Sequence, residues 1–503
     1  MKLFRLPLPS AEARQACGMP GGAVWHRTAS PRMVSGRIVP TRLPLARLAV
    51  LVLSLLLAGP VAAFQFGVVA PPPGVGKEEV SVAQMRDAGA NTLRAGVPWG
   101  NVEPEPGRFV VSAQLASVDK LVDAARAAGL RPLILLCYGS RFATADSLYD
   151  GSEESRKAFA RYADWVVRHF GDRVDQYEVW NEWNAGMGSQ RQPRPKGDPA
   201  AYVELLKVAH AAIKAANPKA TVVAGSVAGV DLPWVDGFLK AGGAQYMGAF
   251  SVHPYMLFSP RPTPERALEV LDQMHERIAA AVPDRDIPVY VTEIGWPTNT
   301  GRFGVSEDVA ADYLARFALL ARTRPWIGGI WWYSLVDLGD NAEDKEHRFG
   351  LLHRDGSPKP AREQFAALAE FMKRGQGFRA ETLADSTYAV TGKLGGSDWL
   401  MAWKDPGPGA PKAAGSAAPA ADAGKASAQG APATSSDAPG RARAQAAMGE
   451  SDARPTGQSR AAKAAPAADL AAVPTLLGGA DDTRRPLVWK RSGDGWAPAD
   501  RPR

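Results

Sequence analysis

The chain has 503 residues, 46% of them hydrophobic, and a formal net charge of +7, so it can build a large core. The charge invites a nucleic-acid partner, but residues 1–63 hold eight Lys and Arg against one acid, Glu12, and the remaining 440 residues balance at 51 basic and 51 acidic. The net charge therefore gives no argument for a nucleic-acid partner, and none is expected.

The basic residues belong to a leader. Arg37, Arg42 and Arg47 precede the apolar run Leu48 to Leu57, Ala58-Gly59-Pro60 breaks it, and Val61-Ala62-Ala63 places small residues where a signal peptide is cut. Residues 1–63 therefore read as an export signal, with the mature chain starting at Phe64 in the periplasm or outside the cell. The apolar run is shorter than the ~20 residues of a membrane span, and an uncleaved anchor is the alternative. Met33 would begin a leader of ordinary length. Cys17 leaves with this leader, and Cys137, inside Leu133-Ile134-Leu135-Leu136, then has no internal partner and reads as a core residue. No CxxC or HExxH spacing occurs, so neither metal nor cofactor is expected.

Strands and helices then alternate. The pattern predicts strands at Phe66–Val69, Asn91–Val97, Pro132–Tyr138, within Val174–Trp180, and at Thr221–Ser226, Ala249–Tyr255, Pro288–Ile294 and Ile327–Leu335. Between them it predicts helices at about Val80–Ala88, Ala116–Ala128, Glu154–Phe170, from Pro199 to before Asn217, Trp234–Lys240, after Thr263-Pro264, Glu307–Ala321 and finally Pro360–Met372. Eight strand-then-helix units argue for an α/β fold, a TIM (β/α)8 barrel over residues 64–374. A doubly wound open sheet would want a GxGxxG fingerprint, which Pro71-Pro72-Pro73-Gly74-Val75-Gly76 lacks. A small C-terminal β-module should start within 375–404, with strands at Thr387–Thr391 and Trp399–Lys404, and resume in 471–503 with Pro486–Lys490. Three short strands make a meagre sheet, so its completeness stays open. The intervening 405–470 is Ala/Pro/Gly/Ser-rich and is expected to be disordered.

Two strands end in a Glu beside tryptophan: Trp180-Asn181-Glu182-Trp183 and Thr292-Glu293-Ile294-Gly295-Trp296. The carboxyl ends of barrel strands carry catalytic groups, and two facing carboxyls are what glycosidic cleavage requires. Glu182 is expected as acid/base and Glu293 as nucleophile. Arg94 should hold Glu293 ionised, and Asn181 should bind the sugar 2-hydroxyl, sharing the site with Glu182 only if the strand end twists or bulges. His253 and Tyr255 should position Glu293 or the sugar. Trp99, Tyr138, Trp296 and Trp332 are further substrate-binding candidates, although parity leaves open which of Trp331 and Trp332 points inward. Glu178 shares the parity of Glu182 and reads as a third inward carboxylate, a buried ion-pair partner.

These motifs, with His253-Pro254-Tyr255, Trp332-Tyr333-Ser334-Leu335-Val336-Asp337 and Phe349-Gly350-Leu351-Leu352, resemble those of the large barrel glycoside hydrolase clan with acid/base after strand four and nucleophile after strand seven. Within it the chain is most similar to glycoside hydrolase family 39 relatives, including secreted endoglycosidases that process biofilm exopolysaccharides. That resemblance implies a metal-independent retaining hydrolase acting on a polysaccharide, monomeric, endo-acting, with no stable membrane insertion after signal cleavage. The alternatives are an exo-acting β-xylosidase or a transglycosylase on the same barrel and, in another class, a non-catalytic polysaccharide-binding factor.

Overall fold

The computed structural model describes residues 63–140, 152–189, 191, 193–383, 386–404, 486–492 and 495–499. The expected leader, save Ala63, and the segment 405–470 lie outside the described residues.

Eight strands close into a parallel barrel: β1 (Gln65–Val69), β2 (Thr92–Pro98), β3 (Arg131–Cys137), β4 (Gln176–Val179), β5 (Thr221–Ala228), β6 (Ala249–His253), β7 (Val289–Ile294) and β8 (Ile327–Trp332). They neighbour one another in chain order, and β1 pairs with β8 to close the ring. Both faces of the strands are covered, which is why they read as unbroken apolar runs.

The surrounding helices follow from their sequences. Glu153–Phe170 buries Phe159, Tyr162, Val166 and Phe170 along one face, with the Ser152 side chain accepting the Ser155 N–H at its start. Asp198, Thr263 and Ser306 cap the helices Pro199–Ala216, Pro264–Ala281 and Glu307–Arg322 in the same way, each cap worth about 1 kcal/mol. Proline stands at the start of the first two, where its missing N–H costs nothing.

The barrel interior is graded along its axis. At the amino-terminal end Gln65 and Gln176 exchange reciprocal amide hydrogen bonds of 3.0 and 2.9 Å. Above them Leu133, Val223, Ala249, Tyr290 and Trp331 form an apolar plug. Gly67 makes room for it: a Cβ there would meet Trp331 Cδ1 and Nε1 at 2.7 Å. Toward the carboxyl end the inward residues turn polar, and Arg94, Glu178, Ser226, His253 and Thr292 are all buried. Buried polar groups need partners, and here they find them in one another.

After the last barrel helix (Pro360–Arg374), a five-stranded antiparallel sheet forms in the order β13-β12-β11-β10-β9. Its strands are β9 (Gln376–Thr382), β10 (Thr387–Leu394), β11 (Ser397–Lys404), β12 (Leu487–Ser492) and β13 (Gly495–Pro498). The expectation of three short strands is corrected: β9 and β13 are strands as well, and the sheet has a buried cluster of Ala389, Leu400, Ala402 and Trp489. Trp403, on the other face, donates its indole N–H to Glu265 Oε1 at 2.9 Å, where Arg316 also pairs with Glu265 at 2.7 and 2.5 Å. This contact ties the sheet to the helices beginning at Pro264 and Glu307. Among the described residues, no helix is long and apolar enough to cross a membrane.

Candidate active site

The site grows from the end of β4. Trp180 and Glu182 both sit at positive φ, 65° and 52°, a conformation rare for residues with a Cβ. The two left-handed turns break strand alternation, so Asn181 and Glu182 reach the same cavity. The Glu182 N–H is held by Ser226 O at 2.8 Å, and Ser226 itself has φ 45° within an irregular stretch of β5 between Ala224 and Val227. A second irregularity, on β7 between Val291 and Ile294, brings Glu293 into the cavity beside Thr292, which shares the inward parity of Tyr290.

Arg94 organises the floor of this cavity. Its Nε donates to Glu178 Oε2 at 2.6 Å, Nη1 to Glu293 Oε1 at 2.7 Å and Nη2 to Asn181 Oδ1 at 3.0 Å. Burial pushes the guanidinium down, but the Glu178 and Glu293 charges outweigh it and its pKa is raised. Glu293 Oε2 accepts the Tyr255 O–H at 3.1 Å, and such donors favour the ionised carboxylate. Tyr255 thus lies against Glu293, although β6 ends two residues earlier at His253.

His253 faces the other carboxyl. Its Nδ1 lies 2.9 Å from Glu182 Oε1 and 3.7 Å from Glu293 Oε2. Asn181 Nδ2 donates to the Tyr138 hydroxyl at 3.1 Å, which puts Tyr138 at the cavity, partly buried and edge-on to Trp180. Glu182 and Glu293 are each 2% exposed. One oxygen of each, with one His253 nitrogen, lie within 4.8 Å of one another. By donor type the trio could take a cation, but both Glu293 oxygens already receive protein donors, and a dication there would face the Arg94 guanidinium.

Three tryptophans expected beside a sugar are placed elsewhere. Trp99 stacks on Tyr162 and gives its N–H to Glu103 at 2.5 Å. Trp296 packs against Tyr313 and Phe317 and donates to Pro262 O. Trp332 joins Phe66, Ile294, Leu314, Phe317 and Phe365 around a small void between strands and helices. All three fill the layer outside the barrel, where large rings are needed to bridge strand to helix. Trp331 is the inward member of its pair, but it lies in the apolar plug below the carboxylates. The aromatic wall comes instead from residues beyond the strands: Tyr255, Phe349 and Tyr333 touch edge to face. Ser226, Thr292, Tyr333 and Phe349 complete the site, and none was singled out as a site residue from the sequence. Glu178, read as a buried ion-pair partner, is one. A separate cavity of about 300 Å³ lies beside β1 and β2, lined by Val69, Val97, Leu115 and Tyr333 and by neither catalytic candidate.

Comparison with known proteins gives a consistent picture. A family 39 glycoside hydrolase from the gut symbiont Bacteroides cellulosilyticus WH2 is 28% identical with a TM-score of 0.59, over 68% of this chain and 71% of that one. A GH5_18 protein from Streptomyces cattleya shares the fold at 16% identity, TM-score 0.52, over 62% and 80% of the two chains. Beta-glucosidase 6 of Oryza sativa subsp. japonica is 29% identical over 106 residues, 21% of this chain and 20% of the relative. A beta-glucosidase of Agrobacterium sp. is 24% identical over 226 residues, 42% and 48%. The chain thus spans less than half the length of each of these two curated relatives. The family model described as Cellulase (glycosyl hydrolase family 5) matches residues 65–334, more than half of the chain, and the chain belongs to that family.

Proposed function

We propose that the chain is an exported, retaining β-glycoside hydrolase that cleaves a polysaccharide by double displacement, Glu182 serving as acid/base and Glu293 as nucleophile. The observation that carries this reading is the approach of the two carboxyls, an oxygen of each within 4.8 Å. Retaining enzymes hold their pair about 5–5.5 Å apart, whereas inverting enzymes need ~6.5–9.5 Å to admit a water. The surroundings support the division of labour. Glu293 is clasped by a cation and a phenol, which suits a charged nucleophile, while Glu182 faces an imidazole, which suits proton exchange.

In the first step the Glu182 proton passes to the glycosidic oxygen as the C1–O bond breaks and Glu293 attacks C1. In the second, water attacks C1, gives a proton to Glu182 and releases Glu293. Asn181, aligned by Arg94 and Tyr138, offers a polar edge to the 2-hydroxyl, and Tyr333, Tyr255 and Phe349 an apolar wall to the ring. The beta-glucosidases among the relatives favour a second reading, exo action on short β-glucosides, which product sizes would separate from endo cleavage.

The test is chemical rescue. Glu182→Ala should slow substrates with poor leaving groups by about 10²–10⁴-fold and spare activated aryl glycosides in their first step. Azide, needing no deprotonation, should then restore turnover and give a β-glycosyl azide, and proton NMR of the wild-type reaction should show the β-anomer first. An α-anomer as first product refutes the retaining mechanism.

A further inference from the structure

The contacts around His253 determine which ring nitrogen carries a proton, and the deciding groups lie on the far side of the ring from Glu182. Glu178 is fully buried. Its Oε2 accepts Arg94 Nε–H at 2.6 Å and its Oε1 accepts the Thr292 hydroxyl at 2.8 Å. A threonine hydroxyl has one hydrogen. With that hydrogen committed to Glu178, Thr292 Oγ1 can meet His253 Nε2, 3.1 Å away, only as an acceptor. Ser226 acts in the same sense. Asn181 Nδ2 points to Tyr138, so its Oδ1 is the atom facing Arg94 and Ser226, and the Ser226 hydroxyl donates there at 3.4 Å. Ser226 Oγ, 3.3 Å from Nε2, is then a second acceptor. Nε2 must carry the hydrogen.

In the neutral ring Nδ1 is therefore a lone pair, aimed at Glu182 Oε1 at 2.9 Å. Two acceptors do not settle at that distance, so a proton lies between them, and with a neutral imidazole it is the carboxyl's. We infer that Glu178 and Thr292 are positioning residues that lock His253 in the Nε2–H tautomer and so keep on Glu182 the proton it delivers to the leaving group. This rests on the reading of Glu182 as acid/base. The lock serves both half-reactions. In the first, Glu182 holds the proton that moves to the glycosidic oxygen as C1–O breaks. In the second, the ionised Glu182 faces a lone pair rather than an N–H, so nothing on His253 stabilises its charge, and it takes the proton of the attacking water readily as the Glu293–C1 bond breaks. The opposite tautomer would donate Nδ1–H to Glu182, hold it ionised and weaken it in both roles. Arg94 and Glu293 complete the charged surroundings of the relay, Arg94 by fixing the Glu178 carboxylate and Glu293 with Oε2 3.7 Å from Nδ1.

The test reads the ring directly. In the full chain labelled with ¹⁵N-histidine, long-range proton–nitrogen correlation distinguishes an N–H from a lone-pair nitrogen, and the His253 signals are those missing from His253→Asn. The wild type should show the hydrogen on Nε2. Glu178→Gln keeps the shape but offers an amide N–H to Thr292, whose hydroxyl must then turn toward Nε2, so the hydrogen should move to Nδ1. Glu178→Gln and Thr292→Val should slow glycosides with poor leaving groups about ten- to a hundredfold, part of the ~10²–10⁴ that general acid catalysis supplies. Both should leave the glycosylation step of activated aryl glycosides nearly unchanged, and Thr292→Ser should restore the loss. A wild-type hydrogen on Nδ1, an unaltered tautomer in Glu178→Gln, or a loss equal for all leaving groups and unrelieved by serine would overturn the lock. The wild-type measurement needs neither relay variant to fold, only His253→Asn for the assignment. Failure of azide rescue in Glu182→Ala would instead remove the acid/base assignment while leaving the measured tautomer standing.

Discussion

Replacing Arg94 by methionine removes the guanidinium that contacts both Glu178 and Glu293 while keeping much of its volume. Both carboxylates are buried, 0% and 2% exposed. Breaking one buried ion pair from one side costs about 3–5 kcal/mol, and here two anions lose their partner together. The fold has a less unfavourable course, which is to take up a proton. Protonating an ordinary Glu carboxyl, near 4.3, at pH 7 costs about 3.7 kcal/mol at 1.36 kcal/mol per unit, and at pH 5 about 1 kcal/mol. The stability deficit of Arg94→Met should therefore be capped near ~4 kcal/mol at pH 7 and shrink to ~1 kcal/mol at pH 5. The sign follows from linkage: the folded variant binds a proton that the unfolded chain does not, so its stability relative to wild type falls as pH rises, by about 1.4 kcal/mol per unit. The two carboxyls titrate as a pair, so the slope belongs to neither alone. Urea denaturation of both proteins at pH 5, 6 and 7 measures the difference. A deficit equal at all three pH values would show that Arg94 contributes packing rather than charge compensation, and would remove the electrostatic argument for an ionised Glu293.

The remaining predictions concern the rest of the chain. Lys404 and Leu487 end and begin neighbouring strands, since β11 pairs with β12, so exchanging the connecting ~80 residues for a four-residue turn should leave hydrolysis unchanged and stabilise the fold by up to ~2–3 kcal/mol of loop entropy; loss of soluble protein would show that the segment is structural. Burial pushes the Cys137 thiol up to about 12 and raises the phenols of Tyr162, Tyr177 and Tyr202. All are neutral when folded, so the stability they add is complete at neutral pH and is lost as pH climbs past the ordinary values of 9.0 and 10.0. Phenolate absorbance should rise in two stages, the second coinciding with loss of circular dichroism, and a single smooth rise with the fold retained would contradict the burial.

The barrel was legible because its signals are local and repeated: short apolar runs, Ser, Thr or Asp at helix starts, and Glu at the ends of β4 and β7. Glu178 was legible from parity alone, four residues before Glu182, and it pairs with Arg94 as that reading implied. The last sheet was less legible. Gln376–Thr382 carries mostly exposed side chains, so no apolar alternation marks it, and its strand state comes from pairing with β10. The tryptophans misled for a related reason. An indole next to a catalytic Glu reads as a sugar platform, yet Trp296 and Trp332 are placed by the gap between strand and helix, which a one-dimensional pattern does not report.

The proton relay was out of reach for a sharper reason. Thr292 stands beside Glu293, and strand alternation assigns the two opposite faces. Only the irregular pairing of β7 between Val291 and Ile294 lets both point inward, just as positive φ at Trp180 and Glu182 brings Asn181 and Glu182 together. Three departures from regular strand geometry fall where a polar side chain joins the site: Ser226 on β5, Asn181 and Glu182 after β4, Glu293 on β7. Strand irregularities gather beside active sites because they re-aim a side chain without moving the strand. Period-two reasoning is therefore most reliable in the apolar plug, where inward and outward side chains still alternate, and fails at the carboxyl end because the strands must break alternation to crowd two carboxylates, an imidazole and two hydroxyls into one cavity.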